Sequence, residues 1–170
     1  ERHGISLIED NAHGLGGSFN GKALGTFGSM STLSFHETKN ITCGQGGALV
    51  INDARLIERA EILREKGTDR ARFFRGMVDK YSWVDVGSSY LLGDLNAAML
   101  LAQLEFGAEI QARRQAAWDH YRAVVGPAAE ARGATVFEPG PGVVNAYHLF
   151  VLLLPDLEAR TALLKAAQEQ

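Results

Sequence analysis

The stretch Ser34–Asp53, SFHETKNITCGQGGALVIND, decides the reading of this chain. It joins the end of an apolar run to a lysine, then a glycine cluster, then a second apolar run. Met30, Leu33 and Phe35 give the first run a strand pattern over Met30–Phe35, and Gly47–Asn52 reads as another strand. Upstream, Ile5–Asp10 (ISLIED) is a short apolar run closed by two acids, as in a buried strand. Downstream, Asp53 is placed to cap a helix whose apolar face carries Leu56, Ala60 and Leu63, with Gly67 ending it. Strands alternating with helices predict an α/β fold with a mostly parallel or mixed sheet.

From Asp94 a helical pattern runs for several turns. Leu95, Met99, Ala102 and Phe106 form its first apolar face, which Ile110, Ala117, Tyr121 and Val124 continue. Gly107 marks a bend or hinge in it. VVGPAAEARGA, 124–134, reads as a loop, TVFEPGPG as a strand and turn, and YHLFVLLLP as an apolar strand. A final helix is expected from about Asp156. The boundaries drawn on this basis are residues 1–103 for part of a large domain and 104–170 for part of a smaller C-terminal α/β domain.

Both ends read as cut. The chain starts at Glu1 with what resembles the tail of a helix, and it stops at Gln170 with a helical pattern still running. It is therefore expected to be an internal fragment. Within its 170 residues, 46% are hydrophobic, enough for a sizeable core and against disorder. A net charge of −3 without a basic run argues against nucleic acid as the partner. No apolar stretch reaches the roughly 20 residues of a membrane span. The single cysteine, Cys43, excludes a disulfide framework and points to a reducing, cytoplasmic compartment.

Lys39 is the first candidate for chemistry. A solvated loop lysine is the default reading of any one lysine, so its neighbours must argue for it. An amine that condenses with an aldehyde becomes a Schiff base, and when released it moves protons. Pyridoxal 5′-phosphate chemistry needs such a lysine, and a carboxylate to keep the cofactor's ring nitrogen protonated. Asp10, at the carboxyl end of a predicted strand, can serve that nitrogen. Ser34, five residues before Lys39, can donate its hydroxyl to a phosphate. CGQGG, Cys43–Gly47, lets backbone pass close to a ligand or merely turns. His13, three residues after Asp10, either lies beside the same ligand or satisfies a local hydrogen bond.

Other chemistries lack support. GLGGSFNG, Gly14–Gly21, has neither the G-x-G-x-x-G order nor a following helix, so a dinucleotide loop is rejected. No H-E-x-x-H, paired cysteines or other metal spacing occurs, so no metal is expected. No G-x-S-x-G supports a serine nucleophile. RARFFRG and DKYSW mix basic and aromatic side chains between Arg70 and Trp83, suited to gripping a nucleotide diphosphate or to forming an ordinary solvated loop.

LIEDNAHGLGGSFNGKALGTFG, SFHETKNITCGQGGALVIND and LGDLNAAMLLAQLE resemble the DegT/DnrJ/EryC1/StrS sugar aminotransferases, enzymes of fold type I that depend on pyridoxal phosphate. The resemblance covers nearly the whole chain. It implies that Lys39 forms the Schiff base, Asp10 pairs with the pyridine nitrogen and Ser34 binds the phosphate. His13 falls where the family usually has glutamine, near the ring hydroxyl, and Gln45 stands where many members have glutamate. His36, Arg75, Lys80, Tyr81 and Ser89 are the substrate-binding candidates. GSSYLL, Gly87–Leu92, departs from the commoner GxNYRM by carrying Ser89 and Leu91.

The run from Ile57 to Ala98 is similar to the subgroup that moves an amine from glutamate to C4 of dTDP-4-keto-6-deoxyglucose. The product of that subgroup is dTDP-4-amino-4,6-dideoxygalactose, for enterobacterial common antigen. A homodimer with shared active sites is implied as well. Three alternatives stand beside it: a sugar dehydratase of the same fold, which Lys39 opposes because such relatives carry histidine there, another nucleotide-sugar aminotransferase of the family, and a non-catalytic truncated copy.

Overall fold

A computed structural model describes residues 3–169. Of the helix tail expected ahead of the first strand, residues 1–2 lie outside the described residues, and His3 and Gly4 are not helical. Strand β4 (Met30–Ser34) is the centre of a three-stranded mixed sheet. It runs parallel to β1 (Ile8–Asp10), with Asp10 opposite Thr32. It runs antiparallel to β5 (Gly47–Ile51), with Ser34 opposite Gly47. The twelve residues between β4 and β5 form no helical crossover, which a parallel pairing would need. Instead the loop folds on itself: Phe35 N–H donates to Gly46 O at 2.8 Å and Glu37 N–H to Gly44 O at 2.9 Å. Gly44, at φ +81°, supplies the left-handed residue this return requires.

Between the parallel strands lies a hairpin that the sequence reading missed. β2 (Ser18–Phe19) and β3 (Lys22–Ala23) meet at Asn20 and Gly21, both at positive φ. Asn-Gly is the pair that a tight two-residue hairpin turn selects. β2 also pairs with β7 (Val143–Val144), tying the C-terminal part of the chain to the N-terminal part.

Asp53 Oδ1 accepts the Arg55 N–H at 3.0 Å and opens a 3-10 turn over Ala54–Leu56, which continues as α1 (Ile57–Arg64). Gly67 closes it as expected, its N–H donating to Ile62 O. A side chain at Gly67 would collide with the Asp85 carbonyl, so this turn and the 85–88 segment pass in backbone contact. A short α2 (Arg70–Phe74) follows. Helices α3 (Asp94–Glu105) and α4 (Gly107–Glu130) break at Phe106, beside the glycine read as a bend.

Three expectations need correction. The apolar face of α3 that packs is not Leu95–Met99–Ala102–Phe106. Leu92, Leu100 and Ile110 pack against the buried cluster Phe35, Ile41 and Cys43, while Leu95 stays 89% exposed and Phe106 61% exposed. The helix carries apolar residues on both sides, and the Asn96 amide, donating to Cys43 O at 2.7 Å, orients it. Secondly, α4 runs through the segment read as a loop, with Pro127 inside it. Proline disfavours a helical residue before it through a clash with that residue's Cβ, and Gly126 has none. The helix ends at Glu130, and the turn after it closes at Gly133, at φ +81°, with Ala134 N–H donating back to Ala129 O. Thirdly, YHLFVLLLP is strand only at β8 (Leu152–Leu153), paired with β6 (Thr135–Val136). Arg114 takes the carbonyls of Tyr147 and His148, which removes them from any strand ladder.

The last helix, α5 (Leu157–Gln168), starts where expected: Asp156 Oδ1 accepts the Ala159 N–H at 2.8 Å. No described helix is long and apolar enough to cross a membrane.

Candidate active site

Because β1 and β4 are parallel neighbours, their carboxyl ends open on the same edge of the sheet. The chain leaves β1 at Asp10 and β4 at Ser34, so a carboxylate and a hydroxyl are delivered to one edge by backbone pairing alone. Asp10 Oδ1 accepts the Ala12 N–H at 3.2 Å, and Asn11 N–H prolongs the parallel ladder to Thr32 O. The buried Asn11 side chain donates to Leu24 O at 3.0 Å and fixes the turn carrying His13. Glu9, one residue back, accepts the amides of Gly25, Phe27 and Gly28 at 2.6–2.8 Å. The Gly28 amide first, then those of Gly25 and Phe27 and the charge of Lys22, hold its carboxyl below the usual range.

Ala12, His13, Ser34, Lys39, Asn40 and His148 line one hollow. Lys39 reaches it from the β4–β5 loop, where its own N–H donates to His36 O at 2.9 Å. None of the ion pairs among the described residues uses Lys39. Its amine is thus not committed to a carboxylate. Among the described residues Ser34 Oγ is engaged only by the His36 N–H, at a long 3.4 Å. The structure therefore brings Lys39, Ser34 and His13 together in the hollow, whereas Asp10 is not among its lining residues and stands on the same sheet edge, its carboxylate held by the Ala12 N–H. His36 is adjacent in the chain, but its ring is tied to Thr38, with Nδ1 at 3.0 Å from the hydroxyl.

The remaining candidates lie elsewhere. Arg75 is clamped by Glu61 through two bonds of 2.5 and 2.8 Å, which raise its own pKa and lower that of Glu61. Tyr81 packs edge-on to Phe73, with the Arg70 guanidinium 5.9 Å from its centroid. Ser89 bridges to Glu65, and Lys80 is exposed. Arg75, Tyr81 and Ser89 are thus held against α1, α2 and the turn after α1, and none of the four lines the Lys39 hollow.

Two residues of the hollow escaped the sequence reading. Asn40, buried at 9% exposure, donates its amide to Ala146 O at 2.5 Å. Its Oδ1 lies 2.8 Å from His148 Nδ1. The His148 ring packs at 4.3 Å from that of His13. Burial, then the charges of His13, Arg114 and Lys39, keep its imidazole below the ordinary value of 6.5. The available signals were Asn40 sitting beside Lys39 and His148 standing alone in an apolar run. Among the described residues no cluster of histidine, cysteine and acidic side chains is arranged to hold a metal.

Chemically, the hollow combines an uncommitted amine, a hydroxyl at a strand end and two imidazoles, with the Asp10 carboxylate on the same sheet edge. That is the donor set pyridoxal phosphate asks for: an amine for its aldehyde, a carboxylate for its ring nitrogen and a hydroxyl for its phosphate.

A model of the DegT/DnrJ/EryC1/StrS aminotransferase family matches residues 1–170. The L-glutamine:scyllo-inosose aminotransferase of Streptomyces griseus is 37% identical over 159 residues, covering 91% of this chain and 37% of that protein. Among solved structures, AtS13 from Actinomadura melliaura superposes with a TM-score of 0.77 at 31% identity, over 97% of this chain and 43% of that one. Spr1654 from Streptococcus pneumoniae, in its PLP form, shares the fold with a TM-score of 0.79 at 23% identity, over 97% of this chain and 42% of that one. The chain spans well under half the length of the relatives it matches.

Proposed function

The chain belongs to the DegT/DnrJ/EryC1/StrS aminotransferase family, and from that premise we propose that it carries the cofactor lysine of a sugar aminotransferase. The observation that carries this reading is Lys39, unpaired by any described carboxylate, in one hollow with Ser34 and His13. Pyridoxal phosphate, when bound, supplies the aldehyde and the electron sink for amine transfer. Lys39 would hold it through its amine and, when free, would take and return a proton at Nζ. Asp10 keeps the ring nitrogen protonated by offering it a carboxylate. Ser34 would donate its hydroxyl to the phosphate, and His13 would stand near the ring. The lysine opposes the dehydratase alternative, whose relatives carry histidine at that position.

The finer proposal is that glutamate donates the amine and that C4 of dTDP-4-keto-6-deoxyglucose accepts it. Arg75, Lys80, Tyr81, Ser89 and His36 remain the proposed sugar-nucleotide contacts. Since four of them lie away from the Lys39 hollow, they fit a site completed by a second copy of the chain, and a homodimer is proposed with them. The boundary between large and small domains is proposed at residues 103–104, just before the break at Phe106. A second reading has its own support: the Streptomyces griseus relative is a glutamine-dependent aminotransferase for scyllo-inosose, so a keto-cyclitol is the competing acceptor and glutamine the competing donor.

The test is the intact protein with pyridoxal phosphate, assayed with glutamate or glutamine against dTDP-4-keto-6-deoxyglucose or scyllo-inosose. Lys39→Ala is expected to remove the visible absorbance of the bound cofactor together with all turnover. Retained absorbance and turnover would falsify the assignment of Lys39. Turnover of scyllo-inosose alone would replace the proposed acceptor and keep the chemistry.

A further inference from the structure

Asn40 and His148 are separated by more than a hundred residues, yet they make the most specific polar contact in the wall of the Lys39 hollow. The direction of that contact follows from chemistry. The Ala146 carbonyl oxygen can only accept, so the Asn40 atom 2.5 Å from it is the amide nitrogen. The other amide atom, Oδ1, can only accept as well, and it lies 2.8 Å from His148 Nδ1. That ring nitrogen must therefore carry hydrogen. In a neutral imidazole the lone pair then sits on Nε2.

We infer that Asn40 is a positioning residue that locks His148 in the Nδ1–H tautomer, presenting Nε2 as a hydrogen-bond acceptor beside Lys39. Its role, though not its tautomer, rests on the reading of Lys39 as the cofactor lysine.

The surroundings are built for such a lock. The 145–148 segment is held from α4, where Gln111 donates to Asn145 O at 3.3 Å and Arg114 donates to Tyr147 O and His148 O at 3.1 and 2.9 Å. Asn145 Oδ1 accepts the Tyr147 N–H at 2.9 Å. Tyr147 takes a left-handed φ of +53°, a conformation a bulky residue keeps only when its neighbours hold it. The groups facing His148 are His13, Arg114 and Lys39, all cationic when charged, which favours a neutral ring. A neutral acceptor in this position suits donor groups entering the hollow, ammonium or hydroxyl, of which the Lys39 ammonium is already in the wall. It accepts a hydrogen bond from such a donor at Nε2, the ring itself staying neutral.

The test is a two-bond proton–nitrogen correlation spectrum of the intact protein labelled in histidine, recorded above the imidazole range. His148 should show a protonated Nδ1 and a lone-pair Nε2. Asn40→Ala should move the population toward Nε2–H. Asn40→Asp should keep Nδ1–H and raise the pH at which the ring titrates, because a carboxylate stabilises imidazolium. A wild-type ring protonated at Nε2 overturns the inference, as does an unchanged tautomer in Asn40→Ala. If Asn40→Ala does not fold, an Asn40→Asp ring whose titration does not move overturns it instead. For the role, the rate of Lys39 modification by pyridoxal phosphate and borohydride should drop about tenfold in Asn40→Ala and stay within about threefold in Asn40→Asp. Equal rates in both variants and the wild type overturn the role. Failure to modify Lys39 in the wild type would reject the lysine reading and leave the tautomer result standing.

Discussion

Glu9 does more for the site than its position inside a short strand suggests. Its carboxylate collects three backbone amides from the 25–28 turn and thereby fixes the strand end from which Asp10 departs. Glu9→Gln keeps one acceptor but turns an NH₂ toward amides that also donate. We expect a loss of roughly 2 to 3 kcal/mol in urea unfolding near neutral pH, since each hydrogen bond to a charged group is worth about 1.5–3 kcal/mol. The sign with pH follows from a folded pKa held below 4.5. The contribution is present above the unfolded value and is lost as pH falls through the folded one. The wild type should therefore lose stability relative to Glu9→Gln on acidification, and an unchanged difference between the two would reject the three-amide account. His148 gives a second window. Its folded pKa is depressed below 6.5, so the unfolded chain takes up the proton first as pH falls. Stability is then lost below that value, and His148→Gln should flatten that part of the profile in thermal melts. At this scale Lys39, Asp10, Ser34 and His13 were singled out by residue type and by their place at or after a strand end, and they stand as proposed contacts of the cofactor. Asn40 and His148 were not, because a contact across more than a hundred residues leaves no spacing to read.

Helix α4 shows where local signals mislead an element. Gly126-Pro127 reads as a break, since proline lacks the amide a helix interior needs and its ring clashes with the preceding turn. The tertiary structure keeps the helix running, and Gly126 is buried in it. Replacing Pro127 by alanine should then stabilise the protein by roughly 1 to 3 kcal/mol, because proline costs about 3 kcal/mol against alanine in a helix interior. A destabilised Pro127→Ala in chemical unfolding would show that the proline supports the helix end instead. Helix α3 makes the complementary point. Its periodicity was read correctly as helical, but an apolar pattern on two sides cannot say which side is covered. The Asn96 bond to Cys43 O and the Phe35–Ile41–Cys43 cluster made that choice.

For the molecule as a whole, the other side of α3 is the consequence. Leu95 is 89% exposed, and Met99 and Phe106 stand exposed with it on the single chain. Exposed apolar area of this kind is what association covers. With a homodimer proposed, Leu95→Asp with Met99→Asp should convert the intact protein to monomer in sedimentation velocity while its far-ultraviolet circular dichroism stays unchanged. A double variant that still sediments as a dimer would place the interface elsewhere. The sequence by itself determined the α/β class, the three strands of the central sheet and the caps at Asp53 and Asp156, and it singled out the residues proposed to carry the cofactor chemistry. Each of these rests on short-range periodicity or on a side chain's own chemistry. Only the tertiary structure decided the antiparallel return of β5, the covered face of α3, the course of α4 through Pro127 and the union of Asn40 with His148. Those depend on which distant surfaces meet, and burial energy between them outweighs local preference.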